Sequence, residues 1–156
     1  MRKDNGDFAN ASLEKLNTPD RNRLIVDDWK RNRTKYGKTL IFVGTQEHAR
    51  TLGGLFGVDG DYAVSGDGED GRREAGERFR SGEIKVLVNV KILSEGVDVP
   101  DIRTVILARP TLSPNLFMQM VGRGSRICGG KSFFYLVDIH DQLPDYEDFL
   151  VGVQDL

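Results

Sequence analysis

Apolar residues in this chain fall into short continuous runs, and longer polar stretches separate them. Four runs rich in Val, Ile, Leu and Phe have the length of strands, at residues 38–43, 84–90, 103–108 and 132–138, and a weaker run covers residues 61–65. The four main runs are nearly all apolar instead of alternating with polar residues, which is typical of strands buried on both faces. The pattern predicts a mainly parallel sheet with helices on both sides.

Helix signals lie between these runs. A capping threonine followed by proline at residues 18–19 predicts the start of one helix. Thr45 can cap a second helix over residues 46–56, a third is predicted over residues 69–81, and Ser113-Pro114 opens a fourth. This order predicts a three-layer α/β/α domain with right-handed crossovers, in which ligands bind at the carboxyl ends of the strands.

The composition is that of one globular domain. The chain has 156 residues, of which 38 % are hydrophobic and 29 % are charged, so it can bury one substantial core. The α/β domain is expected over residues 18–140. Residues 1–17 are expected to be peripheral, and residues 141–156 form an acidic segment.

Hydropathy, cysteine content and charge indicate the compartment and the partners of the protein. No apolar run approaches the length of a membrane span, no secretory signal opens the chain, and the lone Cys128 cannot form an internal disulfide. These features predict a soluble, cytoplasmic protein without a membrane partner. The net charge of −2 gives no overall attraction to nucleic acid, so any such binding needs a local patch.

The segment Gln-Met-Val-Gly-Arg-Gly-Ser-Arg at residues 119–126 carries the clearest candidate chemistry. Gln119, Arg123 and Arg126 are four and three positions apart, which places them on one face of a helix. Two guanidinium groups on one face can bind a phosphate. Taken alone, the segment is equally consistent with arginines that interact with the last carbonyls of a helix.

A second candidate follows the run at residues 84–90, where the chain continues into Glu-Gly-Val-Asp-Val-Pro at residues 95–100. Gly96 allows a close approach of the backbone to a ligand, and Asp98 can accept hydrogen bonds from a ribose or an arginine. An ordinary turn that contains glycine and proline is the alternative for this segment.

The order of these motifs resembles that of superfamily 2 helicases. Residues 95–100 and 119–126 are similar to the family's motifs V and VI, and Lys-Thr-Leu-Ile-Phe-Val-Gly-Thr at residues 38–45 is similar to motif IV. Ser-Gly-Asp at 65–67 and a helix ending in Phe-Arg-Ser-Gly at 79–82 lie between them, again in the family's order. The resemblance covers roughly residues 18–138, and it implies the second of two RecA-like lobes, with ATP bound in the cleft between the lobes.

The resemblance implies a role for each motif residue. Arg123 and Arg126 match the arginine fingers that stabilise the transferred phosphoryl group, and Gln119 would couple the nucleotide site to the other lobe. Gly96 and Asp98 would contribute to nucleotide contact and to lobe closure.

The resemblance also implies contacts with the backbone of a nucleic acid, from loops that begin at Thr45, Ser65 and Asn89. The chain departs from the DEAD-box branch at Val90-Lys91, where that branch has Thr-Asp, and at Gln119, where it has histidine. Backbone amides and Lys91 could replace the phosphate contact of the missing threonine. These departures are closer to restriction-enzyme and DNA-repair helicases, which favours DNA over RNA.

The sequence lacks two motifs that an ATPase needs. It contains no Gly-x-x-x-x-Gly-Lys-Ser/Thr loop and no acidic magnesium motif, so ATP with Mg²⁺ is expected to be held mainly by a first lobe of the same parent protein. The chain alone is therefore predicted to be inactive, and it is predicted to hold no metal of its own. A non-catalytic module that binds nucleic acid or a partner, and a small nucleotide-binding enzyme, are the alternatives.

Overall fold

Helices and strands alternate along the chain. The computed structural model describes residues 3–4, 7–8, 13–64, 66, 68–90, 102–109 and 135–139. A short antiparallel pair, β1 (Lys3–Asp4) and β2 (Asp7–Phe8), stands apart from the main sheet. The other elements are α1 (Pro19–Arg31), α2 (Arg33–Tyr36), β3 (Thr39–Val43), α3 (Gln46–Leu55), a 3-10 turn (Gly57–Asp59), β4 (Gly60–Ala63), α4 (Gly68–Ser81), β5 (Val86–Val90), β6 (Thr104–Leu107) and β7 (Tyr135–Asp138).

The main sheet has five strands in the order β4-β5-β3-β6-β7, and all of its pairings are parallel. Ile41 in the central strand is level with Val88 on one side and with Ile106 on the other. The predicted parallel sheet is therefore confirmed. Because all five strands run in one direction, their carboxyl ends lie along one edge of the sheet.

Helices α1 and α3 cover one face of this sheet. Trp29 of α1 is fully buried, its Nε1–H donates to Thr39 Oγ1 at 2.9 Å, and its ring meets Phe56 edge-on with centroids 5.8 Å apart. Thr39 is level with Val86 and Thr104 in the neighbouring strands. Burial of these side chains with Ile41 and the aliphatic residues of α1 and α3 forms the core on this face.

Helix α4 covers the opposite face. Lys38 precedes Thr39 by one residue and therefore points the other way, where its Nζ donates to Arg80 O at 2.9 Å and lies 5.7 Å from the Phe79 ring centroid. Asp61, which is level with Leu87, pairs with Arg78 Nη1 at 2.7 Å. Helices on both faces confirm the predicted α/β architecture.

The predicted helix starts are confirmed by their caps. Thr18 Oγ1 accepts from Arg21 N at 3.3 Å with Pro19 in the first turn, and Thr45 Oγ1 accepts from His48 N at 3.1 Å. Helix α4 ends at Ser81, as predicted. The helix predicted to open at residues 113–114 lies outside the described residues. None of the described helices is long and apolar enough to cross a membrane.

Several ends of β3 to β6 differ from the prediction by one or two residues, because hydrogen bonding between strands sets them. β4 begins at Gly60 instead of Asp61, since Gly60 is already level with Val86 of β5. The β1–β2 pair and the short α2 were not predicted. Both involve very few residues, which gives a periodic pattern no length in which to appear.

The packing of Trp29 gives a first prediction. Trp29→Phe removes the donor to Thr39 and part of a fully buried ring, so we expect it to lower the free energy of unfolding by about 1–3 kcal/mol. Leu24→Ala is the control, because Leu24 lies on the same helix with 55 % of its surface exposed. Urea unfolding of both variants tests this, and equal losses of stability would contradict the assigned packing.

Candidate nucleic-acid and nucleotide site

The candidate site lies at the carboxyl edge of the sheet. We use the term carboxyl edge for the described residues at or just after the carboxyl ends of four strands. They are Gly44 and Thr45 after β3, Gly66 after β4, Val90 at the end of β5, and Ala108 and Arg109 after β6. Helices α3 and α4 begin at this edge, so their amino-terminal N–H groups lie there as well.

Two of the predicted site residues fall within the described part of the chain, Thr45 and Asn89. The other seven lie outside the described residues, and their roles stay predictions. They are Ser65, Lys91, Gly96, Asp98, Gln119, Arg123 and Arg126.

Thr45 is half-buried at the start of α3. Its hydroxyl accepts from His48 N at 3.1 Å and donates to the Glu14 carboxylate. The hydroxyl that was predicted to meet a phosphate is thus already bound to an anionic group of the same chain. A helix amino terminus favours such a group, because its free N–H groups and its dipole are both electropositive.

Glu14 and Thr45 belong to a closed ring of hydrogen bonds, which we call the polar ring. Asn17 Nδ2 donates to Glu14 Oε1 at 2.8 Å, Asn22 Nδ2 donates to Asn17 Oδ1 at 2.8 Å, and Asn22 Oδ1 lies 2.8 Å from His48 Nε2. The His48 backbone N–H returns to Thr45 and closes the ring. The polar ring ties residues 13–17 to α1 and α3.

The carboxylate sets the direction of the hydrogen bonds between side chains in the polar ring. Glu14 can only accept when ionised, so Asn17 presents its NH₂ group to Glu14 and its oxygen to Asn22. Asn22 then presents its oxygen to His48, and His48 Nε2 must carry the proton. Asn22 and His48 are both only 1 % exposed, so these hydrogen bonds replace water that the side chains have lost.

Leu13 packs on the same turn as Glu14. It is 2 % exposed, and a β-carbon placed on Gly44 would lie 2.6 Å from Leu13 Cβ. Such a contact is closer than two carbon atoms can approach, so the turn after β3 requires glycine at this position. Leu13 and Glu14 therefore cover the first two residues of the carboxyl edge.

The loop after β4 lies against the start of α3. Gly66 N donates to Gln46 Oε1 at 3.1 Å, and a β-carbon on Gly66 would lie 2.5 Å from that oxygen and 2.9 Å from Arg50 Nη2. The glycine thus leaves room for an amide and a guanidinium group. Arg50 brings a positive charge to the carboxyl edge.

Asn89 lies within β5, level with Phe42 and Ala63, on the face that α4 covers. The side chain is 1 % exposed, and neither Nδ2 nor Oδ1 has a hydrogen-bond partner among the described residues. A loop that begins at Asn89 was predicted to contact the backbone of a nucleic acid. In the structure Asn89 is the last but one residue of β5, and it is buried.

Comparisons with known proteins agree with this arrangement. Residues 17–128 match the family model described as the helicase conserved C-terminal domain. The chain belongs to this family.

Two relatives are longer proteins that match most of this chain. The chain is 35 % identical over 138 residues to the putative ATP-dependent helicase IRC3 of Saccharomyces cerevisiae. The alignment covers 85 % of this chain and 20 % of the relative. It is 32 % identical over 124 residues to DEAD-box ATP-dependent RNA helicase 7 of Oryza sativa subsp. japonica, which covers 76 % of this chain and 17 % of that protein. The chain therefore spans about a fifth of the length of these proteins.

A solved structure shows the same fold. A fragment of a putative HsdR subunit of a type I restriction enzyme from Vibrio vulnificus superposes with a TM-score of 0.67 at 28 % identity, over 83 % of this chain and 28 % of that one. The helicase domain thus has the RecA-like fold that its motifs predicted.

Sequence reasoning missed four members of the polar ring, Glu14, Asn17, Asn22 and His48. A weak signal existed for two of them. Asn22 lies three positions before Ile25 on the buried stripe of α1, and His48 lies next to Ala49 on the buried face of α3. Polar residues at core positions indicate a buried hydrogen-bond network, but they do not identify its partners.

Basic side chains also lie between α1 and β3, outside the candidate site, because this segment precedes the strand and so lies at the opposite edge. Arg33 pairs with Asp59 and lies 5.1 Å from the Trp29 ring centroid, and Lys35 Nζ lies 4.9 Å from the Tyr135 ring centroid. These side chains stabilise the edge where the strands begin.

The polar ring makes the stability of the helicase domain depend on pH. Burial lowers the pKa of His48 from 6.5 to about 4; Arg21 also lowers it, and Glu14 opposes the change. Between these values the unfolded chain binds a proton that the folded chain does not. The free energy of unfolding should therefore fall as the pH falls from 6.5 to 4, by up to about 3 kcal/mol from this group.

His48→Gln tests this pH dependence. Glutamine keeps an N–H donor for Asn22 Oδ1 but does not titrate, so the loss of stability between pH 6.5 and 4 should be smaller in the variant. Urea unfolding across this range measures the difference. NMR titration of the His48 imidazole is the direct check, and a midpoint near 6.5 would contradict the assigned burial.

Proposed function

We propose that this helicase domain is the second RecA-like lobe of an ATP-dependent helicase or translocase that acts on nucleic acid. The observation that carries the proposal is the parallel register of the sheet. Because β3 and β5 are paired from Thr39–Val86 to Val43–Val90, the loop after β5 leaves from the same edge at which α3 begins. The nucleotide motif at residues 95–100 and the strand contact at Thr45 would then share one edge.

The nucleotide contacts are proposed from the chemistry of the side chains. Arg123 and Arg126 would bind phosphate oxygens with their planar guanidinium groups, and Gln119 would couple that contact to the first lobe. Gly96 and Asp98 would approach the nucleotide from the loop after β5. ATP with Mg²⁺, held mainly by the first lobe, supplies the phosphoryl group whose transfer to water drives the movement.

Contacts with the nucleic-acid strand are proposed for four residues, Thr45, Ser65, Asn89 and Lys91. Support comes from the position of Thr45, which puts a hydroxyl and the free N–H groups of a ten-residue helix at the carboxyl edge. Arg50 lies beside Gly66 at the same edge. Contacts of this kind hold the sugar-phosphate backbone without reading the bases.

We propose that the bound nucleic acid is DNA. This choice depends on Val90, Lys91 and Gln119, at which the sequence departs from the DEAD-box branch. The relatives include a protein named as an RNA helicase and a restriction-enzyme subunit. Their names therefore support binding to nucleic acid in general. The relative affinity of the chain for oligothymidylate and for oligouridylate tests this choice.

The arginine fingers give the decisive prediction. In the parent protein that contains both lobes, Arg123→Ala or Arg126→Ala should reduce ATP turnover by about a thousandfold, because an uncompensated charge develops on the phosphoryl group. Binding of ATP should remain within a few-fold, since the first lobe holds most of the nucleotide. Steady-state ATPase assays and calorimetry measure the two quantities.

Arg31→Ala is the matched control for the arginine fingers. Arg31 is an arginine at the opposite edge, with 68 % of its side chain exposed and its Nη2 atom 3.9 Å from Asp28 Oδ1. Its loss should leave turnover unchanged. Equal turnover in wild type and in the Arg123 variant would show that the finger assignment is wrong.

The isolated chain should hydrolyse no ATP above background, because it contains neither the phosphate loop nor the acidic magnesium motif. The 156-residue protein can be assayed directly at high concentration. Substantial turnover that survives repeated purification would exclude the half-site arrangement and would favour a small independent nucleotide-binding enzyme.

A further inference from the structure

Glu14 lies at the start of α3, where the nucleic-acid contact proposed for Thr45 would place a phosphate. Its carboxylate accepts from Thr45 Oγ1 at the start of α3, and a carboxylate and a phosphate diester both carry one negative charge and accept hydrogen bonds. The two groups would compete for the same hydroxyl and the same electropositive helix end.

Residues 13–17 hold Glu14 in place by contacts of their own. Leu13 is buried against Gly44, and Leu16 N and Asn17 N donate to Leu13 O and Glu14 O, both at 3.0 Å. Asn17 Nδ2 then donates to the Glu14 carboxylate. The carboxylate is therefore positioned by a folded turn, and its contact with Thr45 is more than an encounter of two exposed side chains.

We propose that Glu14 is an internal competitor of the nucleic-acid phosphate at the start of α3, so that a strand contacts Thr45 only when the Glu14 carboxylate leaves. This inference rests on the strand contact proposed for Thr45. It adds a regulatory contact, in which the turn at residues 13–17 lowers the affinity of the lobe for nucleic acid.

The sign of the effect follows from charge. With Glu14 in place, a phosphate at Thr45 would meet a negative charge within a few ångströms and would lose the hydroxyl donor. Glu14→Gln removes the charge and preserves the shape of the side chain. Its amide oxygen can still accept from Asn17 Nδ2, while its NH₂ group faces Thr45 Oγ1, so the Thr45 hydroxyl can donate to a phosphate instead. We therefore expect Glu14→Gln to bind nucleic acid about three- to tenfold more tightly than wild type.

Glu47→Gln is the matched control. Glu47 is exposed in the first turn of the same helix, so its substitution removes one negative charge from the same helix end without altering the polar ring. We expect its affinity to stay within about twofold of wild type, because exposed charges at this distance are screened by solvent. Thermal unfolding of both variants checks that the fold is retained.

The binding measurement uses the ¹⁵N-labelled chain and NMR, which detects millimolar affinities. Oligothymidylate and oligouridylate of about ten nucleotides are titrated separately into each protein, and dissociation constants are taken from the backbone amides of residues 46–48. A further pair, Thr45→Val with and without Glu14→Gln, should show no gain from the second substitution. Displacement of the turn should also shift the backbone amide signal of Leu13 as wild type binds.

Each outcome decides a different point. Equal gains for Glu14→Gln and Glu47→Gln would overturn the competition and would leave the strand contact of Thr45 standing. Weaker binding by Glu14→Gln than by wild type would overturn the competition as well. If residues 46–48 respond to neither oligonucleotide in either protein at millimolar concentration, the strand contact itself is wrong, and the competition falls with it.

Discussion

The pairing of β3 with β5 on one side and with β6 on the other is the constraint on which the rest of the structure depends. It places Ile41, Val88 and Ile106 at one level, and so it fixes where each strand ends. A slip of one residue would turn every side chain of a strand to the opposite face. Lys38 would then leave Phe79, and Asn89 would enter the core formed with α1 and α3. The carboxyl edge exists because this register is held.

Much of this fold could be predicted from the sequence, because its strands are buried on both faces. Residues 39–43 and 86–90 are nearly all apolar, and a capping residue or glycine marks the helix starts and stops beside them. The ends of the strands could not be predicted, since they depend on the neighbouring strand. Gly60 enters β4 because Val86 lies level with it, and nothing close to Gly60 in the sequence indicates that pairing.

The candidate site also contains both residues that could be predicted from the sequence and residues that could not. Thr45 could be predicted because its cap is a local feature, with the donor only three residues further along. The polar ring could not, because it joins Glu14 to Thr45 across 31 positions and Asn22 to His48 across 26. Each of its side chains is ordinary by itself. Only the packing of residues 13–17 over Gly44 brings the carboxylate to the helix end.

Thr45 and Asn89 lie near the same edge of the sheet, but their side chains differ in hydrogen bonding. The hydroxyl of Thr45 has both a donor and an acceptor within the chain, whereas the buried amide of Asn89 has neither among the described residues. A buried amide needs hydrogen-bond partners, so Asn89 is a polar exception in a strand whose other residues are all apolar. Local rules of this kind are broken most often where a protein binds or reacts. The start of α3 is closed by the chain's own carboxylate, and the loop proposed to contact nucleic acid follows directly after the buried amide of Asn89.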